Sequence, residues 1–187
     1  MRKKVELKVG QIYAIPLYDS SYTIAQLIYN HIISIRCSSC TFSFFDYQYN
    51  SIDEVQNDLN NIDLSEPYAV ATTNSNPKDY CWELVGARET VNTHRFINNI
   101  SMSTGNYNKC SIDPLLFIEP FFGLFPWDGY AIDNYLEDRC ILPGIEIPKR
   151  AKYMKDYSTV ELLEIMPKDS LKLQQRLLDD GIDINDI

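Results

Sequence analysis

The side chains best suited to metal or thiol chemistry here are five cysteines and two histidines. Cys37-Ser38-Ser39-Cys40 has the spacing of a zinc clasp or a thiol-exchange pair. A structural zinc site needs four ligands, as a rule from two such pairs. Cys81, Cys110 and Cys140 stand singly, and His31 and His94 have no partner at ligand spacing. A redox pair works where a helix N-terminus lowers the thiol pKa. Here Thr41-Phe42-Ser43-Phe44-Phe45 follows, which reads as a strand. The thiols are expected to be reduced and to serve as small apolar side chains. No metal or organic cofactor is expected. A zinc-stabilised adaptor built on Cys37 and Cys40 is the alternative.

Machinery for catalysis is not legible either. The chain has no glycine-rich phosphate loop, no nucleophile elbow and no paired histidines. His31, beside Ile32 and Ile33, suits a structural place, and His94, beside Arg95, a solvated loop. Carboxylates can act as acid and base, but no spacing singles out a pair. The expectation is a non-enzymatic protein, against the alternative of a small hydrolase whose carboxylates pair only in space.

Two clusters place aromatic rings beside acids on turn-forming sequence: Tyr18-Asp19, and Trp127-Asp128 with Tyr130 across Gly129. Protein interfaces draw most of their energy from a few aromatic anchors, while charge steers approach. Tyr18, Asp19, Trp127, Asp128 and Tyr130 are therefore the candidate partner-binding residues. For Trp127 the simpler reading is a core side chain, with Asp128 only shaping the turn. The formal charge of −9 repels a phosphate backbone, so nucleic acid is not an expected ligand. The acidity serves solubility or attracts a basic partner.

The elements that must position these residues read as α+β. With 45% hydrophobic residues the chain can build a real core. Gln11 to Leu17 is a strand that lies at an edge or ends at Pro16. Tyr22 to Tyr29 returns after the Tyr18–Ser21 turn, with apolar residues on both faces, and Phe42–Phe45 follows. These three point to a meander, a curled antiparallel sheet or a small barrel. Ser51 and Glu54 have capping-box spacing before a short helix carrying Ile52, Val55 and Leu59. Pro67–Thr73 and Cys81–Gly86 read as strands, residues 87–115 mostly as loop, and Leu115–Phe122 as a buried strand. Tyr135 and Leu136 suit a short helix. Pro143 and Pro148 mark a boundary, giving a β-rich domain over 1–150 and a helical tail over 151–187. In the tail, Ser158 caps one helix that Pro167 stops. Asp169 can cap a second, which carries Leu173, Leu177 and Leu178 as a stripe docking on the sheet and ends at Gly181. No apolar run reaches the ~20 residues of a membrane span. The basic opening Met1–Lys4 has no apolar stretch behind it, so a cytoplasmic place is expected.

Val9-Gly10-Gln11-Ile12-Tyr13-Ala14-Ile15-Pro16-Leu17, a short turn and Tyr22 to Ile28 resemble the opening of the immunity protein 26 family. Phe44-Phe45-Asp46 is similar to that family's next strand, and Trp82-Glu83-Leu84-Val85-Gly86 to a later one. The resemblance covers roughly residues 9–130 and departs at the turn, where Tyr18–Ser21 lacks a glycine. It implies a bacterial immunity protein, encoded beside a polymorphic toxin, that binds the toxin domain and neutralises it. A basic nuclease toxin would suit the acidity.

Overall fold

A computed structural model describes residues 7–34, 37–73, 76–91 and 113–183, without the side chains of 31–34 and 37–39. His94, Cys110, the basic opening and most of the 87–115 segment lie outside the described residues, as do the side chains of His31 and Cys37.

Five strands form one open antiparallel sheet: β1 (Gln11–Pro16), β2 (Tyr22–Ser34), β3 (Cys37–Tyr49), β4 (Ala69–Thr73) and β5 (Glu83–Ala87), in the order β4-β3-β2-β1-β5. Together with the helices this makes an α+β protein whose sheet does not close into a barrel. β1 lies inside the sheet, between β2 and β5, and Pro16 is its last residue. Cys37 and Cys40 lie within β3 rather than ahead of it.

β2 is buried on both faces from Thr23 to Ile28, which explains its apolar residues at both parities. On one face Ile12, Ala14, Ile24 and Phe45 pack with Val55, Ile62 and Leu64, supplied by α1 (Ile52–Asp58) and the loop after it. On the other, Phe42 and Phe44 meet Trp82, and Phe42 also meets Tyr13. The Ser51 side chain caps α1 by accepting the Glu54 N–H, while the Glu54 carboxylate takes the N–H of Asn50 at 2.7 Å. The reciprocal bond thus falls one residue earlier than in a capping box.

The chain falls into two compact units, one of residues 1–114 and 139–145, the other of residues 115–138 and 146–187. Leu115–Phe121 is a helix, α2, and not the buried strand expected there. Its buried residues Phe117, Ile118 and Phe121 recur at helical intervals while Leu116 is exposed. An all-apolar run of this length does not distinguish the two. Pro120 cannot donate to the Leu116 carbonyl four residues back, and the Tyr130 hydroxyl donates to that carbonyl instead. Gly123, at φ 74°, ends α2 with Gly123 N–H to Pro120 O at 3.0 Å and Leu124 N–H to Glu119 O at 2.9 Å.

The second unit continues with α3 (Tyr135–Arg139), which crosses into the first, then α4 (Thr159–Ile165) and α5 (Leu171–Asp179). Ser158 and Glu161 form the expected capping box, but Ser170 and not Asp169 caps α5. Gly181 ends α5, accompanied by the N–H of Ile182 on Leu177 O at 2.9 Å. Leu173 and Leu177 form a core with Tyr157, Leu162 and Met166 inside this unit, whereas Leu178 points to solvent. The stripe is thus narrower than three leucines. Among the described residues no helix is long and apolar enough to cross a membrane.

Candidate protein-binding surface

The sequence candidates separate into two groups once their surroundings are compared. Tyr18 and Asp19 lie on the three-residue loop of the β1–β2 hairpin, closed by Leu17 N–H to Ser21 O at 2.8 Å and Ser20 N–H to Leu17 O at 3.0 Å. Ser20 has φ 70° and so takes the left-handed position that glycine usually fills in such loops. The turn missing its glycine is thereby made with a serine. Ser20→Gly is expected to stabilise the protein by about 0.5–1 kcal/mol, since relief of left-handed strain exceeds glycine's added unfolded-state entropy. A raised urea midpoint at unchanged slope would show it.

Tyr18 is 68% exposed at this tip. The Asp19 carboxylate accepts the Ser21 N–H at 3.0 Å and the Ser21 hydroxyl at 2.5 Å. Gln48 of β3 donates to Asp19 Oδ2 at 3.4 Å and to Ser21 Oγ at 2.9 Å. These bonds brace the tip, so little conformational entropy remains to be lost when a partner is bound.

Gln48 joins the tip to the C-terminal end of β3, where Tyr47 and Tyr49 stack at 6.2 Å with ring planes 17° apart. The Tyr49 hydroxyl donates to Asp58 at 2.9 Å, and the Tyr47 hydroxyl accepts the Asp63 N–H at 2.8 Å. Burial, then the bond to Asp58, pushes the Tyr49 phenol well above its ordinary pKa, so it stays neutral. Hydrogen bonds from Ser65 hold the Asp63 carboxyl below the usual range, so it stays charged. Two separate features stand out: Tyr18 and Asp19 on the braced tip, and the Tyr47–Tyr49 stack bonded to Asp58 and Asp63. Among the described residues no ion pair is made by Asp19 or Asp58. Arg88 contributes only a distant field at Asp63, its guanidinium being used on the carbonyls of Leu59 at 3.0 Å and Ile62 at 2.6 Å.

Trp127, Asp128 and Tyr130 belong to the framework of the second unit. Trp127 is buried; its backbone N–H donates to Lys152 O at 2.7 Å and its indole N–H to Glu137 at 2.7 Å. Asp128 accepts the Met154 N–H at 2.7 Å. Gly129 has no left-handed φ; it is needed because a Cβ would lie 2.8 Å from Phe125 Cε1. Tyr130 is half-buried between Phe125 and Tyr135, at 5.6 and 4.9 Å, with its hydroxyl on the Leu116 carbonyl. Trp127 is thus nearly covered, whereas Asp128 is exposed and Tyr130 half-buried.

No family model matches the chain, and no curated protein or solved structure resembles it significantly.

Among the described residues, no three His, Cys, Asp or Glu side chains gather as a metal ion would require. Cys40 is buried, and that burial pushes its thiol up to about 11, so it offers no thiolate near neutral pH. Cys140 is also buried, while Cys81 is exposed. Sequence reasoning missed Tyr47, Tyr49, Asp58 and Asp63. Two signals pointed to them. Tyr47 and Tyr49 alternate as strand neighbours on one face do, and no basic residue occurs between Arg36 and Lys78.

Proposed function

We propose that the protein is a stoichiometric binder that neutralises a cognate bacterial toxin domain, and that the β1–β2 tip makes the contact. The observation that carries this reading is an exposed tyrosine on a hydrogen-bond-braced loop, set beside Asp19, which among the described residues makes no ion pair. Exposed like charges repel one another, and a basic partner removes that repulsion as it binds. The class of partner comes from the sequence resemblance of residues 9–130 to the immunity protein 26 family alone, which no family-model match supports. A basic nuclease domain fits best, with the carboxylates standing where its substrate's phosphates would lie. Binding, not turnover, is the proposed activity.

The test is co-expression with the toxin encoded next to this gene, followed by titration of purified partners. Tyr18→Ala should weaken binding by about 2 kcal/mol, roughly thirtyfold. Asp19→Ala should mainly slow association and flatten its salt dependence. Protection of cells without any detectable complex would end the binding reading. A tight complex indifferent to both changes would move the contact off this surface.

A further inference from the structure

One stretch of the second unit is held in place largely by carboxylates. Residues 152–159 run from the Trp127 turn to the start of α4 with one short 3-10 turn, Met154–Asp156, among them. Three of their backbone N–H groups donate to acids: Tyr153 to Asp156 at 2.9 Å, Met154 to Asp128 at 2.7 Å and Ser158 to Glu161 at 2.7 Å. The Ser158 hydroxyl adds a second bond to Glu161 at 2.7 Å, and the Thr159 hydroxyl donates to Asp180 at the end of α5. Arg176 completes the tie, with Nε on Asp180 at 2.8 Å and Nη1 on the Met154 carbonyl at 3.4 Å. Tyr157, within this strap, is buried and packs with Leu162, Leu173 and Leu177.

The sheet of the first unit is held differently. Its backbone ladders contain no group that titrates in acid. Its buried polar side chains also pair with neutral groups: Gln26 with the Arg88 carbonyl at 2.9 Å, Thr23 with the Phe45 carbonyl at 3.2 Å, and Thr41 with Thr72 at 2.6 Å. A bond to a carboxylate is charge-assisted, and protonation removes that charge. Acid therefore acts on the two structures unequally.

We propose that residues 152–159 form an acid-released strap: as Glu161 and Asp180 are protonated, it opens from its Ser158–Thr159 end and uncovers Tyr157, while the sheet of the first unit stays folded. Hydrogen bonds from Ser158 hold the Glu161 carboxyl below the usual range, and those from Thr159 and Arg176 do the same for Asp180. The charged and titratable groups facing Glu161 are Lys152 and Tyr157, and Arg176 faces Asp180. With folded values below the unfolded ones, both contributions are complete at neutral pH and are lost as the pH falls below about 4. The proposal concerns the second unit and does not rest on the β1–β2 tip.

Amide hydrogen exchange on the full-length chain, corrected for the intrinsic effect of pH, is the test. Between about pH 7 and about pH 3.5, protection of Tyr153, Met154, Tyr157 and Ser158 should fall about tenfold or more, while the amides of β1 and β2 keep theirs. The double variant Glu161→Gln/Asp180→Asn keeps the shape of both side chains but cannot titrate there. It should lose at least half of that drop, with the sheet amides reporting that it is folded. A strap whose protection does not change, a strap and sheet that lose protection together, or a double variant that keeps more than half of the drop would each overturn the proposal. None of these readouts involves the toxin, so their failure is separate from failure of the β1–β2 reading.

Discussion

Trp127→Ala is expected to destabilise the second unit by about 3–5 kcal/mol, the range for deleting a large buried aromatic side chain. Trp127 is 4% exposed, so truncation leaves a cavity and strands Glu137 without its indole donor. The loss should appear as an earlier urea midpoint. Trp127→Phe keeps most of the bulk and should lose about 1.5 kcal/mol, mainly the charge-assisted hydrogen bond. The two variants discriminate a packing role from a partner-anchoring one. An anchor would yield a stable Trp127→Ala protein with weakened binding; a framework residue yields an unstable protein whose folded fraction binds normally. The second outcome is expected.

Phe42→Ala should have a comparable effect on the first unit, again about 3–5 kcal/mol. Phe42 is fully buried, in register with Leu27 of β2 and Ala71 of β4. Its ring meets Trp82 edge-on at 5.1 Å and Tyr13 at 5.8 Å, contacts that add to simple area burial. Truncation therefore removes a ring that strands β1 and β3 and the segment before β5 all share. Phe42→Leu, closer in volume, should lose about 1.5 kcal/mol. Equilibrium unfolding with tryptophan fluorescence follows both, since Trp82 reports on the same cluster. A loss below about 1 kcal/mol for Phe42→Ala would mean the ring is not enclosed as described.

What the sequence by itself determined was local and periodic. The apolar run of β2, the caps at Ser51 and Ser158 and the glycine stop at Gly181 are legible within a few residues. Such interactions leave their mark in composition and spacing alone. The exposure of Tyr18 and Asp19 was legible for the same reason: a hairpin tip is a local feature.

What only the tertiary structure decided involved partners distant along the chain. Leu115–Phe121 is a short, all-apolar run whose length does not separate helix from strand, and packing in the assembled chain buries Phe117, Ile118 and Phe121 but not Leu116. Trp127 sits on a turn and reads from sequence either as an anchor or as a core side chain; its bonds to Glu137 and Lys152, ten and twenty-five residues away, are tertiary. Gln48 ties β3 to the β1–β2 loop across twenty-seven residues to Ser21, a contact no local pattern announces. Burial is a property of the assembled chain, and a residue's own neighbours in sequence do not determine which side of it meets water.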